Sequence, residues 1–180
     1  MLRQSLKAFW DHGHELFLST HESFPAAFVA GDVFDSAMIS TRAPFNASEA
    51  LPPRPDLKSL VSLTPLQGHV SAIYVGLFFH LFDEPRQLQI ARQLASLLSP
   101  RPGSIIFGTH VGALVKETKW YAGLETFCHS LESWKDLWEG QVFKKGEIRM
   151  EGHLIELAYK SSEEAEAENA HRLSWSIYRL

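Results

Sequence analysis

The sequence predicts an α/β fold: a mostly parallel open sheet with helices on both faces and an antiparallel strand pair at the carboxyl end, in a single domain over residues 1–180. Three observations carry this reading. Short, continuously apolar runs at Ala26–Ala30, Val70–Gly76 and Ser104–Gly108 suit strands buried on both faces. Segments of helical period separate them, which implies parallel crossovers. Towards the end the period changes to two, with Ile148, Met150 and Leu154, then Leu173, Trp175 and Ile177, alternating with polar residues.

Taken in order, Leu2, Leu6, Phe9, Trp10, Gly13, Leu16 and Phe17 recur at spacings of three and four, one face of an amphipathic helix over 2–19. A break at Phe24-Pro25 precedes the first strand, expected over 26–31 and running into Gly31-Asp32-Val33. Pro44, Pro52, Pro53 and Pro55 mark an irregular connection, with a short helix near 48–51 and a helical turn or two within 57–66. After the strand at 70–76, Asp83 is placed to cap a helix over 84–98, with Pro85 in its first turn, where a missing amide donor costs nothing. Its inward face is read as Leu88, Ala91, Leu94, Ala95 and Leu98, and Pro100, Pro102 and Gly103 stop it. A third strand over 104–108, a polar stretch, and a helix over 130–138 with Leu131, Trp134, Leu137 and Trp138 inward complete the central part.

Composition narrows the function classes. The chain is 45% hydrophobic with a net charge of −4, and its 17 Lys and Arg are scattered. No basic stripe exists to neutralise phosphates, so nucleic acid and an anionic membrane surface are not expected partners. The run Ser162–Glu168 reads as a solvated segment. One cysteine, Cys128, excludes an internal disulfide and a multi-cysteine zinc site, and is read as a small buried apolar residue. His12 and His14 point apart on a helix, so no metal site is expected. No secretion signal opens the sequence and no membrane-length apolar run occurs, so a cytoplasmic location is expected. The aromatics Trp134, Trp138 and Trp175 are read as core packing.

In an open parallel sheet, ligands bind beyond the carboxyl ends of the strands. Three such ends are read here, at Gly31-Asp32-Val33, at Gly76-Leu77-Phe78-Phe79-His80 and at Gly108-Thr109-His110. Glycine at each permits a ligand to approach the backbone. The Asp32 carboxylate is placed to accept a hydrogen bond from an exocyclic amine, beside the Val33 amide.

The run Val70-Ser71-Ala72-Ile73-Tyr74-Val75-Gly76-Leu77-Phe78-Phe79-His80-Leu81-Phe82, followed by a helix and Pro100-Arg101-Pro102-Gly103-Ser104, resembles the fourth strand and its sequel in fungal class I S-adenosylmethionine-dependent methyltransferases of natural-product pathways, the meroterpenoid group among them. Ala30-Gly31-Asp32-Val33-Phe34-Asp35 upstream and Glu132-Ser133-Trp134-Lys135-Asp136-Leu137-Trp138 downstream resemble neighbouring segments in the same order. The resemblance implies a Rossmann-like sheet, S-adenosylmethionine as cofactor and a small organic metabolite as substrate. It implies that Asp32 and Val33 contact adenine and that Gly76, Leu77 and His80 line the methionine end and the substrate mouth. For a hydroxyl or carboxyl acceptor His80 is read as the catalytic base, because the ordinary imidazole pKa of about 6.5 suits neutral pH.

One departure accompanies the resemblance. No two of the eleven glycines are separated by a single residue, so the Gly-x-Gly turn that holds the cofactor in this family is absent. The first strand, the glycine-rich loop and the second strand are expected to be missing, leaving an incomplete, amino-terminally truncated sheet. Such a sheet exposes an apolar edge, which invites self-association. The alternative function is therefore a non-catalytic methyltransferase-like module acting in protein interaction or oligomerisation.

Overall fold

The computed structural model describes residues 2–121, 123–157 and 170–180, so the acidic run at 162–168 lies outside the described residues. The chain groups into two compact units, Met1–Ser40 with Pro52–Leu66 and Thr41–Leu51 with Gln67–Leu180.

In the first unit the expected helix forms as α1, Leu2–Leu16, and ends where Leu18 adopts a left-handed backbone at φ 50°. The expected turns appear as 3-10 segments at Leu57–Ser59 and Thr64–Leu66. The strand expected over 26–31 does not form. A strand needs a ladder partner for its backbone groups, and this unit contains no other strand among its described residues. Three of the five residues from 26 to 30 are alanines, which contribute little to a pleated surface. The segment is held by its aromatics instead. Phe28 stacks on Trp10 of α1 at 5.0 Å between ring centroids, and Phe24 lies 6.1 Å from the same ring. The short helix expected near 48–51, in the other unit, is likewise a turn and irregular chain.

The second unit is built on a four-stranded sheet in the order β1-β2-β6-β5, from β1 (Ala72–Gly76), β2 (Ile105–Gly112), β5 (Ile148–Leu157) and β6 (Ala170–Arg179). β1 and β2 pair in parallel, joined through α2, Glu84–Leu97. The expected antiparallel pair is β5 with β6. β6 also pairs antiparallel with β2 and so sits inside the sheet, which corrects the expectation of a mostly parallel arrangement. The burial pattern of β6 explains the position. Leu173, Trp175 and Ile177 are buried, and they lie opposite His110, Gly108 and Ile106 of β2 on one side and Leu154, Gly152 and Met150 of β5 on the other. Between two strands β6 has apolar neighbours on either side, and Phe79, Trp134 and Trp138 pack on Trp175. β1, β2 and β5 run in one direction and β6 alone opposes them.

A second sheet was not expected. Within the polar stretch, β3 (Glu117–Tyr121) and β4 (Leu124–Cys128) form an antiparallel hairpin, followed by α3, Leu131–Trp138. Ser130 caps α3 through a reciprocal box with Ser133, and Trp134, Leu137 and Trp138 are buried as expected, while Leu131 is 36% exposed. Asp83 caps α2 as expected, its carboxylate accepting from the Arg86 amide at 3.0 Å. The buried face of α2 is rotated from the one read in the sequence. It holds Gln87, Ile90, Ala91, Gln93, Ala95 and Leu97, whereas Leu88 and Leu94 are half-buried.

Gly108 pairs with Val75 across β1 and β2, and a Cβ there would run into the Val75 carbonyl oxygen. The Gly108→Val variant is expected to lose about 1–3 kcal/mol through forced separation of the two strands. A fall in the urea midpoint with unchanged slope checks this, and an unaltered midpoint contradicts it.

Candidate functional site

The carboxyl end of β1 carries a constrained stretch of backbone. Leu77 follows Gly76 in the left-handed region at φ 51°, a conformation uncommon for a branched side chain, and its amide donates to the Thr109 carbonyl of β2 at 2.7 Å. That bond ties the β1 exit to β2 while the Leu77 side chain stays 60% exposed. Strain of this kind persists only where the surroundings over-determine it, and it collects at ligand sites.

A 3-10 turn, Phe79–Leu81, follows at once. Phe79 is wholly buried in an aromatic box, with Trp134 at 4.8 Å, His110 and Trp175 at 5.8 Å and Trp138 at 6.4 Å between centroids. His80, next in the turn, is half-buried, and its Nδ1 is buried with no hydrogen-bond partner among the described residues. Desolvation holds its pKa below the ordinary histidine value, which favours the neutral ring.

Beneath the turn lie two further histidines. The indole Nε1–H of Trp175 donates to His110 Nδ1 at 3.0 Å. Because an indole nitrogen only donates, Nδ1 is the acceptor and the His110 proton sits on Nε2. Burial pushes the His110 pKa down to about 3, assisted by the nearby His129 and His80. His129 shares a hydrogen bond of 2.9 Å between Nδ1 and Ser133 Oγ, and burial lowers its pKa to about 4. Cys128 is buried as expected, and desolvation raises its thiol to about 11, so it carries no thiolate near neutral pH.

The structure brings Gly76, Leu77 and His80 together on one exit turn of the second unit. Asp32 and Val33 belong to the first unit. There Asp32 is exposed in a turn, with its carboxylate accepting from the Phe34 amide at 2.9 Å and its carbonyl accepting from the Asp35 amide at 3.1 Å. Gly76 ends β1 as read, whereas the strand-end positions read for Gly31 and Gly108 are corrected. Gly31 ends no strand, and a Cβ on it would strike the Met38 side chain. Gly76 lies against the Tyr74 hydroxyl, 2.5 Å from where a Cβ would sit, and Gly108 lies in the middle of β2 against Val75. Packing within each unit accounts for the missing side chains at Gly31 and Gly108.

Sequence reasoning missed Gln87 and the interior position of His110. A glutamine on an amphipathic helix reads as solvent-facing, and His110 was placed at a strand end because the run to Gly112 is not continuously apolar.

This unit, a mixed α/β sheet with one parallel pair and a constrained turn at its carboxyl end, is consistent with part of a methyltransferase fold. No protein-family model matches the chain. The chain is similar to the O-methyltransferase phiE of Fungal sp. (strain ATCC 74256), 32% identical over 142 residues, which cover 78% of this chain and 40% of that protein. It is also similar to the O-methyltransferase atr3 of Stereocaulon alpinum, 32% identical over 121 residues (66% of this chain, 35% of that protein). The methyltransferase adrK of Penicillium roqueforti is 36% identical over 81 residues (43% of this chain, 28% of that protein). By sequence the chain is therefore related to fungal methyltransferases, and it spans about 40% or less of the length of these three relatives. No helix among the described residues is long and apolar enough to cross a membrane.

Proposed function

We propose that the chain belongs to a machinery that transfers a methyl group from S-adenosylmethionine to a small organic metabolite of secondary metabolism. The observation that carries this reading is the strained, exposed turn at the end of β1, in a chain related to O-methyltransferases. The residues present fit part of the cofactor. Leu77 offers an exposed apolar side chain beside Gly76 for the methionine end. S-adenosylmethionine supplies a methyl group already activated on a sulfonium.

What remains for the protein is to hold an acceptor in line and exclude water. His80 suits a base for a hydroxyl acceptor, because burial keeps the ring neutral near pH 7 and its Nδ1 is not committed to a protein partner among the described residues.

Calorimetric titration with S-adenosylmethionine tests the reading directly. Saturable heat is expected. Absence of heat at millimolar cofactor overturns cofactor binding by this chain. If transfer is measured, His80→Ala is expected to lower its rate by roughly 100-fold with cofactor affinity unchanged.

A further inference from the structure

Gln87 is wholly buried on α2, a helix face where a glutamine needs a reason. Its Nε2 donates to the Phe82 carbonyl at 2.8 Å and to the Phe127 carbonyl at 3.0 Å. Phe82 closes the turn that carries His80, its own amide donating to the Phe79 carbonyl at 3.1 Å. It also immediately precedes the Asp83 cap, so its carbonyl stands outside the α2 ladder. Phe127 belongs to β4, in the hairpin that the sequence left as polar connection. One side-chain amide thus uses both of its protons to join the exit turn of β1 to the β3–β4 hairpin. Both partners are carbonyl oxygens, which fixes the orientation of the amide: the nitrogen faces them.

We propose that Gln87 is a positioning residue for His80: it pins the Phe79–Phe82 turn to the β3–β4 hairpin and so sets where the imidazole stands at the carboxyl end of β1. The proposal rests on the reading of His80 as the base, but its test requires neither cofactor nor substrate. The two bonds make two separate elements depend on one side chain, and Phe79 anchors the same turn from below through its aromatic box. The turn is therefore held at two points, by packing at Phe79 and by hydrogen bonding at Phe82.

The experiment compares the full chain with Gln87→Met, of similar length but without donors, by amide hydrogen exchange and by the imidazole nitrogen signals of His80. Exchange at the Leu81 and Phe82 amides is expected to accelerate about tenfold or more, while Ile90 and Ala91 in the middle of α2 keep their protection. The His80 ring signals are expected to move, and those of exposed His12 to stay. Unchanged Leu81, Phe82 and His80 signals overturn the proposal, and so does an equal loss of protection along all of α2, which would mark Gln87 as merely structural. Should Gln87→Met fail to fold, Gln87→Asn, shorter by one methylene and unable to span both carbonyls, replaces it under the same criteria. A wild-type chain inactive in methyl transfer removes the catalytic role of His80 and leaves these exchange rates to decide the pinning on their own.

Discussion

Replacing Phe79 by alanine is expected to destabilise the second unit by about 3–5 kcal/mol, the range for emptying a buried aromatic site. Phe79 is 0% exposed and its ring meets Trp134, His110, Trp175 and Trp138, three of them edge-on. Edge-to-face pairs add to the area term. The rings come from β2, α3 and β6, so no single neighbour can move in to fill the space without breaking a ladder or a helix. Phe79→Leu keeps much of the volume and is expected to lose markedly less. Urea unfolding followed by tryptophan fluorescence reads both, since Trp134, Trp138 and Trp175 surround the site. Equal losses for Ala and Leu, or a loss below about 1 kcal/mol for Ala, contradict tight packing here.

Acid is expected to destabilise the unit nearly as strongly. His110 and His129 have folded pKa values of about 3 and about 4, both held down chiefly by burial, against an ordinary 6.5. Above pH 6.5 both states are neutral and stability does not depend on these groups. As pH falls below 6.5 the unfolded chain binds protons that the folded chain refuses, so stability is progressively lost until the folded values are reached. Each group contributes a slope of about 1.4 kcal/mol per pH unit, so the two together cost on the order of 4 kcal/mol between pH 6.5 and 5. That is a large part of the roughly 5–15 kcal/mol that stabilises a typical domain. Denaturant titrations at fixed pH check the slope. The double variant His110→Gln and His129→Gln, which keeps an acceptor for the Trp175 indole, is expected to flatten it. An undiminished acid slope in that variant would place the loss elsewhere.

The opposing fates of two apolar runs show what a strand requires. Val70–Gly76 and Ala26–Ala30 look alike in the sequence, and only the first becomes a strand. The difference lies in the neighbour: β1 has β2 to receive its backbone groups, and the run at 26–30 has no partner strand among the described residues of its unit. Caps were legible for the opposite reason. Asp83 and Ser130 satisfy amides within three residues of themselves, so their effect is local and the sequence carries it. The candidate site was legible in the same measure. Gly76, Leu77 and His80 lie close together along the chain and stay together, whereas Asp32 and Val33 fall in a separate compact unit.

The three helices, the β1–β2 crossover, the final antiparallel pair and the kinship with fungal methyltransferases could all be read from residue order alone. These depend on periodicity, short-range capping and residue identity, all of which are written along the chain. Three features emerge from long-range packing instead: β6 enters the sheet between β2 and β5, a hairpin forms in the polar stretch, and Gln87 and His110 lie inside. Each of these turns on partners distant in sequence: a facing apolar strand, a carbonyl forty residues away, an indole sixty-five residues away. Burial of a polar side chain is favourable only once such a partner has been supplied, and no local pattern records who supplies it.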